Sequence, residues 1–563
     1  MALDKEILRA FQAVVGEDNV SDDPAICENY RTAAHQSSAH YGPYYHWTPT
    51  PLAVIMPGST KEVQGVVRLC NKYELQFKAS TSFWSVHGYI TSDRAVQIDM
   101  RRMCSLEIDE KNMIATVGPV VTHAQLHAEA IKHGLCCNIP GVGCSCSVVA
   151  NTSGWGGPGP SSPYTGNGNE NLLCMEWVLP DGRIITTGSA AMGAGWFSAE
   201  GPGPEQRGLL RGGRGLCGEL GICTKMSVKL SPWAGPKTLT TVGKPPAYRV
   251  QLPDNFRYHT ICFPDWDNWA QAMMDLGDAD IVFTGHRQFS MFGRDIKAAM
   301  LRIITDPDRQ LADIPALNEL PEVQEHSKSI KIELNVTLMG QTPEDIAWKE
   351  AALDEILKKN HGWKDAWSEE KENNEWLMTY FVRMGHKNLN YVLCGSYEGC
   401  FGLNGANLVK SAQYAEKAYA LKREWEEKDT FFAKVGGDCS MGGLSSLGGA
   451  GGPMLWEFFA HFDGMDPKSV EGTRKFIAEQ SSRFQAENKL GPEFCYNCAA
   501  QRKPDAHAYS QQEHNEMFVN APQPYPMVYQ WKIRELFNPN HEKVSGSYYQ
   551  TLDPEYLKKV RGM

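Results

Sequence analysis

Three segments of this 563-residue chain combine small residues with hydroxyls in a way that suits anion binding. Residues 78–88 read KASTSFWSVHG, residues 141–168 read GVGCSCSVVANTSGWGGPGPSSPYTGNG, and residues 212–222 read GGRGLCGELGI. Each stands at a strand end or between a strand and a helix. Small residues there let backbone N–H groups approach a ligand, and consecutive N–H groups form a concave anion site. Three such turns meeting on one ligand suit a long molecule with a charged middle, such as a dinucleotide. The plainer reading of any one of them is a tight turn between strands. No G-x-G-x-x-G follows the first strand and no G-x-x-x-x-G-K-[ST] occurs, so Rossmann and P-loop readings are weak.

Cysteine is the other reactive residue type in quantity. Sixteen cysteines without a secretory signal read as reduced thiols, which points to a cytoplasmic protein. Cys70, Cys174, Cys223 and Cys262 lie in apolar segments, where Cys acts as a small core residue. The suggestive spacings are Cys136-Cys137, Cys144-x-Cys146 and Cys495-x-x-Cys498. A lone C-x-x-C has no second pair at zinc or iron–sulfur spacing, so no metal is expected.

The elements around the three segments alternate between strands and helices. An apolar run at 53–56 is closed by Pro57-Gly58. Ser59 and Glu62 then form a capping box ahead of the helix face Val63, Val66, Val67 and Cys70. Strands are expected at 96–100 and 114–117. Thr122 with Gln125 forms a second capping box, and that helix stops at Gly134. Asp181-Gly182 predicts a hairpin between strands at 175–179 and 184–187. A further strand is expected at 225–230. Beyond residue 236, strands at 258–263, 331–338 and 455–462 are separated by long helices near 343–362, 409–428 and 467–487. That order predicts an antiparallel sheet covered by helices. The glycine-rich run 436–452 is a loop, and the Pro- and Tyr-rich end holds one helix before Phe537.

A single core rarely grows past ~250–300 residues, so more than one domain is expected. The boundaries read as 1–235, 236–500 and a segment 501–563 that returns to the first unit. A net charge of −11 argues against nucleic acid or an anionic membrane face. The N-terminus is charged and helix-periodic through Ile7, Leu8, Phe11, Val14 and Val15, unlike a signal peptide. No apolar run approaches the ~18 residues of a membrane span.

The order of these blocks resembles the vanillyl-alcohol oxidase / p-cresol methylhydroxylase (PCMH-type) family of FAD flavoproteins. That family includes the glycolate oxidase FAD subunit and D-lactate dehydrogenases. The stretch PLAVIMPGSTKEVQGVVRLCNKYELQFKAS resembles its first βαβ element. VQIDMRRMCSLEIDEKNMIATVGPVVTHAQLHAEAIKHGL resembles the strand–strand–helix that follows. GNENLLCMEWVLPDGRIITTG resembles its hairpin, and GLCGELGICTKMSVKLSPW the close of its FAD domain. The resemblance covers residues 51–233 well and the C-terminal half loosely. It implies an α+β protein: a two-subdomain FAD-binding fold plus a substrate (cap) domain.

By position, the resemblance puts the pyrophosphate cradle on Ser80, Thr81, Ser82, Phe83 and Trp84. The second flavin-facing turn falls on Ser147, Val148, Val149, Ala150 and Asn151, and the segment before the hairpin on Tyr164, Thr165 and Gly166. The adenine side falls on Gly218, Gly221 and Ile222. The family's Arg-Gly-rich cradle is replaced here by hydroxyl residues, which still donate to phosphate. Its paired glycines appear as Val149-Ala150. Relatives that bond FAD through the cradle carry His where Ser82 or Phe83 stands, so non-covalent FAD is expected. His87 reads as a local hydrogen-bonding residue. Cys136, near the cysteine that berberine-bridge-type relatives attach to flavin, reads as a buried thiol.

The implied chemistry is hydride removal from an alcohol or 2-hydroxy-acid carbon to flavin N5. A carboxylate clamp needs Arg or His donors; the candidates are His461, Arg383 and His386, with Tyr45 of the cluster AHYGPYYHW at the pocket mouth. A 4-alkylphenol or aromatic-alcohol oxidase is the alternative. Its phenolate-binding positions carry Phe494-Cys495 and Gly141-Val142 here, which lack those donors. A non-catalytic FAD-fold subunit of a redox complex is the third reading. The partners expected are a small-molecule substrate and either a protein electron acceptor or a second copy of the chain.

Overall fold

The computed structural model describes residues 3–31, 48–83, 88–90, 92–140, 144–155, 159–201, 207–210, 220–243, 249–286 and, apart from 318 and 331, 316–382. Beyond these it describes the strands at 395–403, 440–443 and 454–462, with scattered residues in 417–430, 466–479 and 533–538.

The first sheet is built by local signals that the chain then joins across distance. Helix α1 (Lys5–Val15) is capped by Asp4, whose side chain accepts from the Glu6 N–H at 2.7 Å, and it buries Phe11 and Val15. Strand β1 (Val20–Ser21) and helix α2 (Pro24–Glu28) follow. Strand β2 (Val54–Ile55) leads into helix α3 (Thr60–Lys72), which turns Val63, Val66, Val67 and Cys70 onto the sheet. Strands β3 (Gln76–Ser80) and β4 (Ala95–Asp99) complete the order β1-β2-β4-β3, in which β2 and β3 both run parallel to β4. Helix α3 therefore acts as the crossover that parallel pairing requires. The capping box at its start is shifted by one residue. Ser59 Oγ accepts from Glu62 N–H at 3.2 Å, but the Glu62 carboxylate accepts from Gly58 N–H at 2.8 Å.

The second sheet is antiparallel. It comprises β5 (Leu106–Asp109), β6 (Ile114–Val117), β8 (Leu172–Val178), β9 (Ile184–Thr186) and β10 (Ile222–Lys229) in the order β5-β6-β10-β8-β9. Helix α4 (His123–Ala130) carries a complete Thr122/Gln125 capping box, and a following turn stops at Gly134 with φ +70°. Between α4 and β8 the chain forms β7 (Leu135–Cys136), α5 (Val148–Ala150), a π-helical turn over Asn151–Trp155 and α6 (Ser162–Thr165). The hairpin expected at Asp181-Gly182 joins β8 to β9, with Val178 opposite Ile184. A short helix α7 (Arg207–Leu210) and strand β11 (Ser231–Pro232), paired to β7, close this unit.

The cap is a seven-stranded sheet whose described pairings are all antiparallel. After the β12 (Thr241–Val242)/β13 (Arg249–Val250) hairpin come β14 (Phe256–Cys262), β15 (Val282–His286), β16 (Glu333–Met339), β17 (Trp363–Lys364), β18 (Gly395–Leu403), β19 (Ser440–Gly443) and β20 (Met454–Phe462). Their order is β17-β14-β16-β15-β19-β20-β18. Helices α8 (Trp266–Ala279), α9 (Pro321–Ser329) and α10 (Pro343–Lys359) precede α11 (Ala366–Glu369) and α12 (Lys371–Val382). Period-2 alternation gives the sheet two apolar faces. Ile261, Leu334, Val336 and Leu338 pack under α8 and α10 with the fully buried Trp269. On the other face Phe256, Tyr258, Phe283 and Met339 meet Ile131, Cys136 and Trp233 of the first unit. Backbone fixes this contact too, since Gly285 N–H donates to Pro160 O at 2.7 Å. No helix among the described residues is long and apolar enough to cross a membrane.

Candidate functional site

The hydroxyl turn begins at the end of β3. Ser80 is buried and lies opposite Asp99 in the β3/β4 register; its carbonyl accepts from Met100 N–H at 3.0 Å. Thr81, Ser82 and Phe83 are half-buried. Phe83 has φ +50°, a left-handed conformation that is uncommon for a bulky residue. Ser82 Oγ accepts from Ser147 N–H at 3.2 Å. That bond ties the first turn to the second.

The second turn is organised by Ser147. It is fully buried, its Oγ donates to Pro119 O at 2.5 Å, and the same oxygen accepts from Ala150 N–H at 3.1 Å. Val148 N–H donates to Val121 O at 2.9 Å, which pins the turn to the start of α4. Asn151 opens the π-helical turn and is buried. Such turns interrupt α-helices mostly at functional positions. A Cβ built on Gly154 within it would meet none of the described residues within 4 Å.

The third stretch joins the same set through Asn138. Its Nδ2 donates to Gly166 O at 2.9 Å, and its carbonyl lies 3.2 Å from Nδ1 of the buried His123. Burial lowers the His123 pKa to about 4, so the ring is neutral at ordinary pH. Ile139 N–H donates to Ser161 Oγ at 2.7 Å, and Ser161 Oγ contacts Thr165 Oγ1 at 3.1 Å. The Tyr164 hydroxyl donates to Pro232 O at 2.9 Å, and its ring stands edge-on to Phe283 of the cap at 5.4 Å. Burial pushes the Tyr164 hydroxyl up to about 12, which keeps it protonated.

Of the expected site residues, Ser80, Thr81, Ser82, Phe83, Ser147, Val148, Asn151, Tyr164, Thr165 and Gly166 are therefore brought into one connected region. Gly221 and Ile222 stand at the start of β10. A Cβ on Gly221 (φ +113°) would sit 2.1 Å from Val178 O, and Ile222 is buried against the first sheet. Both have their side-chain positions packed inward, which leaves only backbone to offer a ligand. His461 occupies β20 opposite Ser396. Trp84, Gly218, Tyr45, Arg383, His386, His87 and the pairs Gly141-Val142 and Phe494-Cys495 lie outside the described residues. Cys136 is buried, its thiol points at Pro232 O at 3.5 Å, and burial raises its pKa to about 12. Sequence reasoning missed His123, Asn138 and the Tyr30–Asp99–Arg101 cluster. The two histidines of THAQLHAEA, four apart on one helix face, were the available signal for the first.

Comparison with known proteins adds an independent observation. Residues 51–188 match a family described as an FAD binding domain. Residues 51–188 therefore form an FAD binding domain. A D-lactate dehydrogenase of Archaeoglobus fulgidus is 25% identical over 193 residues, which is 34% of this chain and 41% of that protein. A 1'-carboxy-chondrochloren decarboxylase of Chondromyces crocatus is 30% identical over 235 residues, 40% of each chain. This chain thus spans about two fifths of the length of these curated relatives. The crystal structure of p-cresol methylhydroxylase with substrate bound superposes with a TM-score of 0.69 at 16% identity, covering 96% of both chains. That likeness is one of fold. It extends the PCMH-like α+β architecture through the cap, where sequence resemblance was loose.

The residues present fit the cofactor of this family. Thr81 and Ser82 offer hydroxyl donors on a half-buried turn. Among the described residues none would crowd a Cβ at Gly154 beside the second turn. Two buried amide oxygens near Gly166, Asn138 Oδ1 and Asn167 Oδ1, have no hydrogen-bond partner among the described residues. Buried acceptors without a donor are costly unless a ligand supplies one.

Proposed function

We propose that this protein is an FAD-dependent oxidoreductase that removes hydride from an alcohol or 2-hydroxy-acid carbon. The observation that carries the reading is the pair of bonds joining the turns, Ser147 N–H to Ser82 Oγ and Asn138 Nδ2 to Gly166 O. Both bonds lie within the region that matches the FAD binding domain. FAD, when bound, supplies the hydride acceptor.

The chain's own residues would divide the work as follows. Ser80, Thr81, Ser82 and Phe83 hold the pyrophosphate, with Trp84 continuing the cradle. Ser147, Val148 and Asn151 line the flavin-facing turn, Tyr164, Thr165 and Gly166 the stretch beside it, and Gly218, Gly221 and Ile222 the adenine side. Non-covalent binding follows, because the buried, protonated Cys136 is a poor nucleophile. The cap sheet face that carries Tyr258, Thr260 and Asn335 closes over the reacting carbon and excludes water. Tyr258 Oη and Thr260 Oγ1 both donate to Asn335 Oδ1, at 2.6 and 2.9 Å, which fixes this polar strip. Arg383, His386 and His461 are the clamp for a substrate carboxylate, and Tyr45 shields the mouth.

Support for a 2-hydroxy acid comes from the D-lactate dehydrogenase among the relatives. A second reading, a 4-alkylphenol oxidase, is favoured by the full-length likeness to p-cresol methylhydroxylase. Anaerobic titration separates them. Bleaching of the flavin bands by D-lactate or another 2-hydroxy acid supports the first. Bleaching only by a 4-hydroxybenzyl alcohol or 4-alkylphenol moves the assignment to the second. The electron acceptor, a protein or dioxygen, follows from which one restores the oxidised spectrum.

A further inference from the structure

An ionic cluster with a buried carboxylate and an exposed guanidinium stands behind the first turn. Asp99 ends β4, is 1% exposed, and is the register partner of Ser80. Its Oδ2 accepts from the Tyr30 hydroxyl and from Arg101 Nε, both at 2.7 Å, and its Oδ1 accepts from Arg101 N–H at 2.9 Å. Arg101 Nη2 also donates to the Tyr30 oxygen at 2.9 Å. Tyr30 follows α2, where its N–H donates to Cys27 O at 3.1 Å, and the next residue, Arg31, donates to Thr48 O at 2.8 Å. Burial and the Asp99 carboxylate raise the Tyr30 pKa above its ordinary range, so the hydroxyl remains a donor.

The cluster reaches the turn through one aromatic ring. Phe83 lies edge-on to Tyr30 at 5.5 Å and edge-on to Tyr89 at 5.3 Å. Holding a phenylalanine at φ +50° costs roughly 1–2 kcal/mol, so the surrounding structure must enforce it. A buried carboxylate with three donors is no better for stability than apolar residues of similar volume. It does add direction, because charge-assisted hydrogen bonds fix the angle of the Tyr30 ring and therefore the wall on which Phe83 leans.

We propose that Tyr30, Asp99 and Arg101 are positioning residues of the cofactor site, which hold Phe83 in its left-handed conformation and thereby aim the Thr81 and Ser82 hydroxyls at the diphosphate. The inference rests on the FAD reading above. It predicts that the effect of Tyr30 on FAD affinity passes through Phe83, whereas a merely structural Tyr30 acts without regard to residue 83.

The test is a double-mutant cycle read as FAD affinity of the apo-protein, from quenching of flavin fluorescence. Tyr30→Phe removes only the hydroxyl. Phe83→Gly removes the ring and relieves the backbone cost; Phe83→Asn, also tolerated at positive φ, is the second variant should the first fail to fold. Tyr30→Phe is expected to weaken FAD binding about tenfold when Phe83 is present and less than about twofold when it is replaced. Asp99→Asn should follow the same pattern. An equal factor in both backgrounds, or no change with Phe83 present, overturns the inference while leaving the FAD reading intact. Wild-type apo-protein that quenches no flavin overturns both.

Discussion

Acid should destabilise this protein through one histidine. His123 opens α4, is 2% exposed, and its Nδ1 lies 3.2 Å from a carbonyl oxygen of Asn138. A carbonyl only accepts, so Nδ1 carries the hydrogen and Nε2 the lone pair. Burial, opposed only in part by Asn138 and Asn151, lowers the pKa from 6.5 to about 4. The unfolded chain protonates this ring near 6.5, and the folded chain resists until about 4. Between those values the unfolded state binds the extra proton, so stability is complete above the upper one and declines as pH falls toward the lower. At 1.36 kcal/mol per unit, the gap is worth about 3 kcal/mol. His123→Gln keeps a donor for Asn138 and does not titrate. Urea unfolding followed by tryptophan fluorescence at several values from pH 7.5 to 4 gives the wild-type and variant profiles. Their difference cancels the other titrating groups and should change by about 3 kcal/mol across that range. A difference that stays flat would mean that the ring is solvated or already charged, and the reasoning about this buried set would be wrong.

Three further outcomes follow from single residues. Ser147→Ala removes an N-cap and a buried donor to Pro119 O, so thermal unfolding should show a loss of about 1–3 kcal/mol; an unchanged Tm would deny Ser147 its organising role. Gly221→Ala places a Cβ 2.1 Å from Val178 O at φ +113°; at least about 2 kcal/mol of destabilisation is expected by denaturant titration, and wild-type stability would contradict the close β8/β10 approach. Cys136, buried with its pKa raised to about 12, should resist iodoacetamide at pH 8 while the exposed Cys104 is alkylated. Peptide mass spectrometry reads both, and rapid labelling of Cys136 in folded protein would refute its burial.

The parts of this fold that were legible in the sequence are those with local causes. The Thr122/Gln125 box, the Gly134 stop and the Asp181-Gly182 hairpin each depend on residues within five positions, and each appears where expected. Three of the seven strands in the cap sheet, β14, β16 and β20, lie within two residues of the expected bounds, because apolar runs between long helices leave few alternatives. Strands β15, β17 and β18 were not foreseen, and β19 corrects the reading of 436–452 as a loop, since its Gly442 and Gly443 pair with β20. What stayed hidden depends on distance along the chain. Nothing local says that β10 inserts between β6 and β8, or that β4 separates β2 from β3. Ser82 meets Ser147 across 65 residues, and Tyr30 meets Asp99 across 69. The Asp in VQIDM was a clue, since a carboxylate ending a buried strand needs donors, but its partners lay elsewhere in the chain. The shifted box at Ser59 shows the same limit at short range. Glu62 could bond either neighbouring N–H, and its ion pair with Arg102 at 3.0 Å accompanies the bond to Gly58.

On this reading the hydroxyl groups of the joined turns gather around a flavin dinucleotide. The direct measurement is titration of refolded or flavin-stripped full-length protein with FAD, followed by fluorescence quenching and by acid precipitation of the complex. One FAD bound per chain, released by acid into the supernatant, and loss of that binding on Ser82→Pro is the predicted result. Protein that keeps its fold yet binds no FAD, or that binds it equally well with proline at 82, would contradict the account at its root.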